Sequence, residues 1–585
     1  MINSWKAGEF KIGINMAGAI SAGAYTAGVL DFLMEALEEW QKRKDAFRKY
    51  LANPAGNPPL AVPLHDVSIE IFTGASAGGM CAAISSVLVQ QDFEHIRTEQ
   101  DAQKTGTNNI FYESWVNSID IRKLLRTDDL QDGQPVVSLL DSTIIDSIAA
   151  TALTPSTPVP RPYISERLTL MLTLSNVRGT PYQLYSDPNA GTEEFVEYFG
   201  DKLRFEVTPD GTTSTPVAKP LPAGKPGRLA WPLLQQAAKA TGAFPIFLAP
   251  RIITRAVADY DTPPWRSLPA GPDKRTVEPS FPPGMPATWQ TLNIDGGVTD
   301  NNPFNLAHDF LVSHNPKAQD STNPRDPREA NCAVITVAPF PAEDKFKPNY
   351  GPVANSNPLK MVARLFDVLI AQSRFGGESL ELLTSGISFS RFTIAPSDDT
   401  HLPDGSVLMC GLLSAFGGFF ERGFRAHDFL LGRRNCQKFL MDYFCLPRGN
   451  PVIDAGLANA GQFAKAIEDQ FFIDAPNDRV AEQAKVWMPL IPLLGSAAEE
   501  CASPVRPQMT SDSLDEIVDA IFTRAKGLKS GLLANAPELL RAAADVALSP
   551  LAILALKSKL RKLLEEKLCP FVEGQTFDDC AKPEQ

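Results

Sequence analysis

A turn of glycine, serine and glycine between an apolar strand and a small-residue helix most constrains how this chain can fold. VSIEIF is predicted to form a short buried strand, and MCAAISSVLV, which has no glycine or proline, a packed helix. Between them stands the pattern G-x-S-x-G, at Gly74, Ser76 and Gly78. Such a turn exposes a serine hydroxyl, and only small residues fit on either side of the serine. Ser76 is therefore a candidate nucleophile; a structural turn that packs the helix on a sheet is the alternative.

Apolar runs of strand length recur through the first 345 residues, separated by helical or irregular segments. They read KIGINM, VSIEIF, RLTLMLTLS, TLNID and CAVITVA, and their alternation with helices predicts an α/β fold with a central sheet. Residues 201–290 are rich in proline and predict mainly extended loops, with one helix at WPLLQQAAKATGAF. Beyond about residue 350 the strand pattern fades. There LKMVARLFDVLIAQSRF, FLLGRRNCQKFLMDYF and SLDEIVDAIFTRAKG have a helical period.

Composition limits the partners and the compartment. The 585 residues are 44% hydrophobic and 21% charged, as in a globular protein with a large core. A net charge of −13 is unsuited to general nucleic-acid binding, because neutralising phosphates needs a basic surface. No segment has the length of apolar sequence that spans a bilayer, and Ile12 to Leu30 fits a strand, turn and helix better than a signal peptide. We expect a cytoplasmic or peripheral membrane protein.

The eight cysteines carry little functional signal. They are scattered along the chain with no C-x-x-C pair and no zinc-type spacing, so they predict no metal site. We expect them to be mainly reduced and structural, as in a cytoplasmic protein. The last two, Cys569 and Cys580, could pair in an oxidising compartment.

The segment TLNIDGGVTDNNP offers a partner for the serine. It is predicted as a short strand that ends at Asp295 and is followed by Gly296 and Gly297. Two glycines after a strand-end carboxylate let the backbone turn tightly and let another group approach closely. Asp295 could then accept the proton of a serine hydroxyl, forming a Ser–Asp dyad. An Asx-type turn without a chemical role is the alternative.

A second small-residue turn near the N-terminus could supply hydrogen-bond donors. In NMAGAISAGAY, the backbone N–H groups around Gly18, Ala19 and Ile20 could point at the oxyanion of a tetrahedral intermediate. A well-packed turn of small side chains is the alternative.

The six histidines offer no comparable base. An α/β-hydrolase with this turn needs an acid and then a histidine downstream of the serine. His308 lies in a predicted surface helix and His427 in an arginine-rich amphipathic helix, and neither stands in a strand-end loop beside an acid. A histidine-based triad is therefore unsupported by the pattern.

The three turns, in this order, resemble those of the patatin-like lipid acyl hydrolases, a class of phospholipases A and lysophospholipases. That family carries a glycine-rich oxyanion loop, then G-x-S-x-G, then D-G-[GA], on a three-layer α/β/α fold with a mainly parallel central sheet. The resemblance implies that Ser76 is the nucleophile, Asp295 the base, and the turn at Gly18 to Ile20 the oxyanion hole. It implies no catalytic histidine, no calcium and no cofactor.

The resemblance covers roughly residues 8–345. It predicts a catalytic domain over that range, with the proline-rich insertion at about 201–290, and a helical C-terminal extension over 346–585. Two weaker matches are SLLD at 138–141 and AAKATGAFPIFLAP at 237–250, the latter similar to a family segment beside the active site.

The first loop departs from the family pattern. The usual G-G-G-x-R-G reads G-A-I-S-A-G here, so Ala22 replaces the arginine and two glycines become Ala19 and Ile20. A positive φ at Ile20 would be unfavourable for a β-branched residue. This variant resembles an atypical bacterial branch of the family that has a helical C-terminal extension.

The resemblance implies hydrolysis of acyl esters of lipids or phospholipids through an acyl-enzyme. SAFGGFFERGF could line an apolar groove. The tail LKSKLRKLLEEKL could meet lipid headgroups, or it could simply pack on and solubilise the helical region; its cations are Lys557, Lys559, Arg561 and Lys562.

Two alternative functions stay open. One is a catalytically impaired patatin-fold binding or signalling module, favoured by the altered first loop. The other is a histidine-dependent esterase with His427 or His308 as base.

Overall fold

A nine-stranded sheet organises the part of the chain that the computed structural model describes, namely residues 5–6, 8–131, 134–184, 194–260, 279–341, 361, 368, 371–374, 388–398, 407–474, 486–532, 550–569 and 571–573. Its strands are β1 Glu9–Met16, β2 Asp66–Gly74, β3 Ile164–Leu184, β4 Glu194–Thr208, β5 Lys219–Pro222, β6 Arg251–Ala256, β7 Thr288–Asp295, β8 Cys332–Val337 and β9 Arg391–Ile394. A separate two-stranded ribbon joins Cys445–Pro447 to Trp487–Pro489.

The centre of the sheet is parallel. The strand order is β5-β4-β3-β2-β1-β8-β9, with β7 beside β3 and β6 beside β7. The pairs β3–β2, β2–β1, β1–β8 and β8–β9 are parallel, whereas β4 and β7 run antiparallel to β3. At the carboxyl end of the parallel strands, Met16 pairs with both Gly74 and Val337. The turns after β1 and β2 therefore lie side by side, where open α/β sheets bind ligands.

The sheet is covered on both faces. Within the described residues, the helices of eight or more residues are α1 Gly23–Ala52, α2 Ser76–Leu88, α3 Thr143–Ala152, α4 Trp231–Thr241, α5 Phe304–His314, α6 Arg422–Asp442, α7 Pro451–Asn459, α8 Ala464–Phe471, α9 Ser511–Leu532 and α10 Pro550–Leu568. Ile71 and Phe72 are neighbours on β2 and point to opposite faces. Ile71 packs against α5, and Phe72 belongs to the large core that α1, α2 and α4 build. The three-layer α/β/α fold with a helical C-terminal region is confirmed.

Helix α6, from the C-terminal region, packs backbone to backbone on α1. A Cβ atom on Gly28 would stand 1.9 Å from the carbonyl oxygen of Phe429, and one on Gly432 would stand 2.2 Å from that of Tyr25. The buried guanidinium of Arg433 pairs with two carboxylates of α1, Asp31 and Glu35. The close approach and the ion pairs join the two helices firmly.

Most predicted elements are confirmed, but the stretch 201–290 is less irregular than expected, because besides the end of β4 it holds β5, β6 and the start of β7. The five apolar runs form β1, β2, β3, β7 and β8, and the helices expected at 231–244 and in the last third form α4, α6 and α9. Residues 201–208 were expected in a loop but form the end of β4, because Leu203, Phe205 and Val207 alternate with polar residues and are buried against β3. The helix expected at LKMVARLFDVLIAQSRF lies mostly outside the described residues.

The cysteines are mainly free thiols, as expected. Those free are Cys81, Cys332, Cys410, Cys436, Cys445 and Cys501. Cys569 is disulfide-bonded, and Cys580 lies outside the described residues.

The contact between α1 and α6 predicts a large effect of one methyl group. Gly432→Ala places a Cβ atom against the backbone of Tyr25, which cannot move away as a side chain can. We expect the free energy of unfolding in urea to fall by about 3 kcal/mol. The matched control is Gly527→Ala in α9, where the nearest atom is the flexible end of Leu130 and helix propensity favours alanine by about 1 kcal/mol. Equal effects of the two substitutions would contradict this account of the packing.

Candidate active site

Ser76 stands in a strained turn at the carboxyl end of β2. The strand ends at Gly74, Ala75 is extended, and Ser76 begins α2 with a φ of 53°, in the left-handed region. For a residue other than glycine this conformation costs roughly 1–2 kcal/mol. A Cβ atom on Gly78 would lie 2.2 Å from the carbonyl oxygen of Met16, so β1 packs directly on the first turn of α2. The turn is thereby wedged between two strand ends.

The structure brings Asp295 to Ser76 across 219 positions of sequence. The Ser76 hydroxyl donates a hydrogen bond of 2.6 Å to Asp295 Oδ2. The other carboxylate oxygen, Oδ1, accepts the Gly297 N–H at 2.7 Å, so the glycine pair after β7 orients the carboxylate. Both side chains are buried. The arrangement gives a hydroxyl one direct proton acceptor in fixed geometry.

Burial raises the pKa of Asp295 to about 7. Removing the carboxylate from water disfavours its charge, and this outweighs the hydrogen bonds from Ser76 and Gly297, which lower the pKa. A pKa this close to neutrality lets the carboxyl group both accept and release a proton at neutral pH.

The segment 237–250 holds the serine from the other side. The Thr241 hydroxyl accepts the Ser76 backbone N–H at 3.0 Å, and the Ala243 carbonyl oxygen accepts the N–H of Asp295 at 2.9 Å. The resemblance placed this segment beside the active site, but sequence reasoning did not single out Thr241. A buried threonine at the end of α4, one residue before a glycine, was the signal available.

A buried polar network aligns the strand ends. The Asn15 amide donates to Asn302 Oδ1 at 2.6 Å and to Thr336 Oγ at 3.2 Å, and its oxygen accepts the Thr73 hydroxyl at 3.0 Å. These residues come from β1, β2, β8 and the loop after Asp295. Sequence reasoning missed this network. The available signal was Asn15, a polar residue within the apolar run KIGINM.

The first loop is more constrained than expected. Gly18 donates its N–H to the Asn301 carbonyl oxygen at 3.0 Å, and a Cβ atom on Gly18 would meet Asn301 Oδ1 at 1.9 Å. Ile20 does adopt a positive φ, of 48°. Ala19 is the residue between them, with a φ of −151°. The Gly18 N–H is therefore engaged within the protein, and Ile20 carries strain.

An apolar cavity opens onto both Ser76 and Asp295. It has a volume of about 60 Å³, and its wall includes Met80, Trp115, Leu140, Phe247, Phe416 and Phe419. The first four belong to segments before residue 345. The last two come from the SAFGGFFERGF segment in the C-terminal region.

The segment that carries Phe416 and Phe419 is anchored at several points. Ser21 in the first loop donates to the Ala415 carbonyl oxygen at 2.6 Å. From α6, Arg425 donates to the Gly418 carbonyl oxygen at 2.5 Å, and Asp428 accepts the backbone N–H groups of Met409 and Cys410. The C-terminal region thus supplies a fixed part of the cavity wall.

Among the described histidines, none lines this cavity. His308 is buried in α5, not on a surface helix as expected, with its Nδ1 3.0 Å from Asp309. His427 is buried in α6 with its Nδ1 2.8 Å from Asp428. His401 lies outside the described residues. The geometry therefore gives the described histidines no contact with Ser76.

The basic tail is paired with neighbouring carboxylates. In α10, Lys557 bonds Asp519 and Arg561 bonds Asp515, both on α9. These ion pairs match the packing and solubilising alternative for the tail.

The raised pKa of Asp295 predicts a pH-dependent stability. A carboxyl group whose pKa is higher in the folded than in the unfolded state binds extra protons on folding, so stability falls as pH rises from about 4 to about 7. Asp295→Asn removes this dependence. Between pH 5 and pH 8, we expect wild type to lose about 2–3 kcal/mol more unfolding free energy than the variant, measured by urea denaturation. Asp300, whose pKa burial also raises to about 7, is common to both proteins and cancels. Parallel pH profiles would show that Asp295 ionises normally.

Comparison with known proteins assigns a family to this geometry. The model of a family described as patatin-like phospholipase matches residues 15–308. The uncharacterized protein y4iI of Sinorhizobium fredii is 31% identical over 564 residues, which cover 88% of this chain and 75% of that protein. The crystal structure of VipD from Legionella pneumophila aligns over 94% of this chain and 90% of its own at 12% identity. The TM-score of that alignment is 0.21, which is too low to indicate a shared fold. On the family match and the S. fredii relative, the chain belongs to the patatin-like phospholipase family.

Proposed function

We propose that this protein is a serine acyl hydrolase of the phospholipase A or lysophospholipase type, with Ser76 as nucleophile and Asp295 as base. Membership of the family supports lipid acyl hydrolysis. The observation that carries the assignment is the 2.6 Å hydrogen bond between Ser76 Oγ and Asp295 Oδ2 at one apolar cavity.

The proposed reaction has two steps. Asp295 accepts the Ser76 proton while Oγ attacks the ester carbonyl carbon, and the tetrahedral intermediate expels the alcohol, which takes the proton from Asp295. Water then attacks the acyl-enzyme, losing its proton to Asp295, and the acid leaves as Ser76 is reprotonated. A base of pKa about 7 suits both transfers at neutral pH.

We assign the oxyanion to the backbone N–H groups of Ala19 and Ile20. Gly18 was the third donor expected from the sequence, but its N–H bonds Asn301, so we leave it out of the set. Each well-placed N–H donor stabilises the transition state by roughly 3 kcal/mol. The dipole of α2, which begins at Ser76, favours negative charge at the same point.

A lipid surface is the proposed location of the substrate, because large apolar side chains stand exposed beside the cavity. The N–H groups of Leu139 and Leu140 donate hydrogen bonds to the carbonyl oxygens of Ile246 and Phe247, respectively. These bonds join segments 137–140 and 246–247, which together form what we call the rim of the cavity. Ile246 is 56% exposed and Val137 is 62% exposed. In the part of the chain that the structure describes, no helix has the length and apolar character needed to cross a bilayer. Contact through the rim would be peripheral.

One alternative retains support. A catalytically impaired binding module is favoured by the engaged Gly18 N–H, which removes one of the three expected oxyanion donors, and by the strain at Ile20. A histidine-dependent esterase has no such support, since the described histidines lie away from the cavity.

A fluorophosphonate probe tests the nucleophile. We expect it to label wild type and to leave Ser76→Ala unlabelled, with ester turnover lower by roughly a thousandfold or more. Asp295→Asn, which cannot accept the proton, should lose at least about a hundredfold. The control is Ser85→Ala, a buried serine of the same helix whose hydroxyl bonds a backbone carbonyl. If wild type is not labelled, the binding module is supported. If Ser76→Ala is still labelled and active, the proposed Ser76–Asp295 dyad is wrong.

Vesicle co-sedimentation tests the rim. Ile246→Ser removes apolar surface that would be buried in lipid, and serine, which is not β-branched, adds no strain at the φ of 73° that Ile246 already adopts. We expect partition onto phosphatidylcholine vesicles to fall about five- to tenfold. Val505→Ser is the control, since Val505 is 71% exposed and is not part of the described cavity wall. Equal losses in both variants would refute docking through the rim.

A further inference from the structure

A second cavity lies over the amino-terminal halves of β1 to β3 and the carboxyl-terminal half of the antiparallel β4, where α5 ends. It has a volume of about 410 Å³, within the range of small-molecule sites. Among the described residues, its wall shares no member with the cavity at Ser76. The side chains that matter below are Trp5, Lys11, Arg167, Thr169, Arg204 and Phe310.

The charges around this cavity leave an excess of one positive charge. Lys11 pairs with the buried Glu70 at 3.1 Å. Arg167 and Arg204 share one fully buried carboxylate, that of Glu206, at 3.0 and 2.7 Å. Three cations thus stand against two carboxylates in this group of described residues. An anion in the cavity would balance the charge.

Three polar atoms of the wall are buried without a hydrogen-bond partner. They are Trp5 Nε1, Arg204 Nε and the Thr169 hydroxyl. Thr169 is 1% exposed, so water outside the protein does not reach it. An unpaired buried group of this kind costs about 1–3 kcal/mol. Because indole and guanidinium N–H groups donate and never accept, their missing partner is an acceptor.

Aromatic rings back the cationic groups. The Arg204 guanidinium lies 5.6 Å from the ring centroid of Phe310, and the Lys11 ammonium lies 5.1 Å from that of Trp5. These contacts fix the cations in place and give the cavity an apolar side. A ligand that fits has an anionic end and an apolar body.

We propose that this cavity binds a small organic anion, whose carboxylate or phosphate group accepts hydrogen bonds from Trp5, Arg204 and Thr169 while its apolar part packs on Phe310. Planar guanidinium groups suit both acceptor groups. The site stands apart from the proposed chemistry at Ser76 and is measurable without it.

The test uses the full-length Ser76→Ala protein, so that its outcome is independent of the proposed hydrolysis. Phenyl phosphate and benzoate are the probes, benzamide is the neutral counterpart of benzoate, and binding is followed by calorimetry and by the shift in Tm. We expect both anions to bind and to raise Tm, and benzamide to do neither.

Two substitutions locate the binding. Thr169→Val keeps the shape and removes the unpartnered hydroxyl, so we expect the Kd to rise roughly tenfold or more; Arg204→Gln should raise it further. Thr26→Val in α1 is the matched control, because its hydroxyl is equally buried and unpartnered and lies outside the described wall of this cavity. We expect Thr26→Val to bind like the parent protein.

The outcomes decide the proposal. No binding of either anion, benzamide binding as tightly as benzoate, or Thr169→Val binding as the parent would each overturn it. A further arm identifies the source of the anion with phosphatidylcholine vesicles containing phosphatidic acid. Loss of vesicle binding in Thr169→Val indicates a lipid headgroup, whereas loss confined to the soluble probes indicates a free anion.

Discussion

The hydrogen bond between Ser76 and Asp295 depends on the way two strand ends and a helix start crowd into one point. Gly78, in the first turn of α2, touches the carbonyl oxygen of Met16 at the end of β1, and a side chain there would push the helix away. Asp295 reaches the same point because β7 runs antiparallel to β3, whose Leu174 is its register partner. The register of β1, β3 and β7 therefore places the Ser76 hydroxyl oxygen 2.6 Å from Asp295 Oδ2. A shift of one residue in any of them would turn a side chain to the other face.

The C-terminal region belongs to this site physically. Phe416 and Phe419 face the same cavity as Ser76, and Ser21, one residue after the strained Ile20, bonds the segment that carries them. The segment is also tied to α6, which lies on α1. An acyl chain bound beside Ser76 would contact residues from both ends of the chain. The C-terminal helices therefore help to shape the cavity as well as to cover the core.

Sequence alone predicts the parts of this arrangement that have a local signature. Ser76 lies in a pattern of five residues, and Asp295 ends a short apolar strand before two glycines, so both could be singled out. β4 was missed because its alternating Leu203, Phe205 and Val207 stand within a proline-rich stretch. Phe416 lies in SAFGGFFERGF, the phenylalanine-rich segment that the sequence offered as a groove lining, whereas Thr241 has no local signature because its role is set by tertiary proximity. The pairing of the basic tail with α9 was hidden for the same reason.

The strain at the site is placed where the fold can hold it. Ile20 and Ser76 both adopt left-handed φ values, and each stands within three residues of the start of a helix buried along most of its length. Asp295 adds a carboxylate whose charge burial disfavours. Each of these features lowers stability, by roughly 1–3 kcal/mol for each strained residue. The backbone contact between α1 and α6 offsets them, because the helix that follows Ile20 cannot relax without losing its packing on Gly432. A strained turn attached to a firmly packed helix is a rigid turn, and rigidity is what a serine and a carboxylate need to stay within hydrogen-bonding distance.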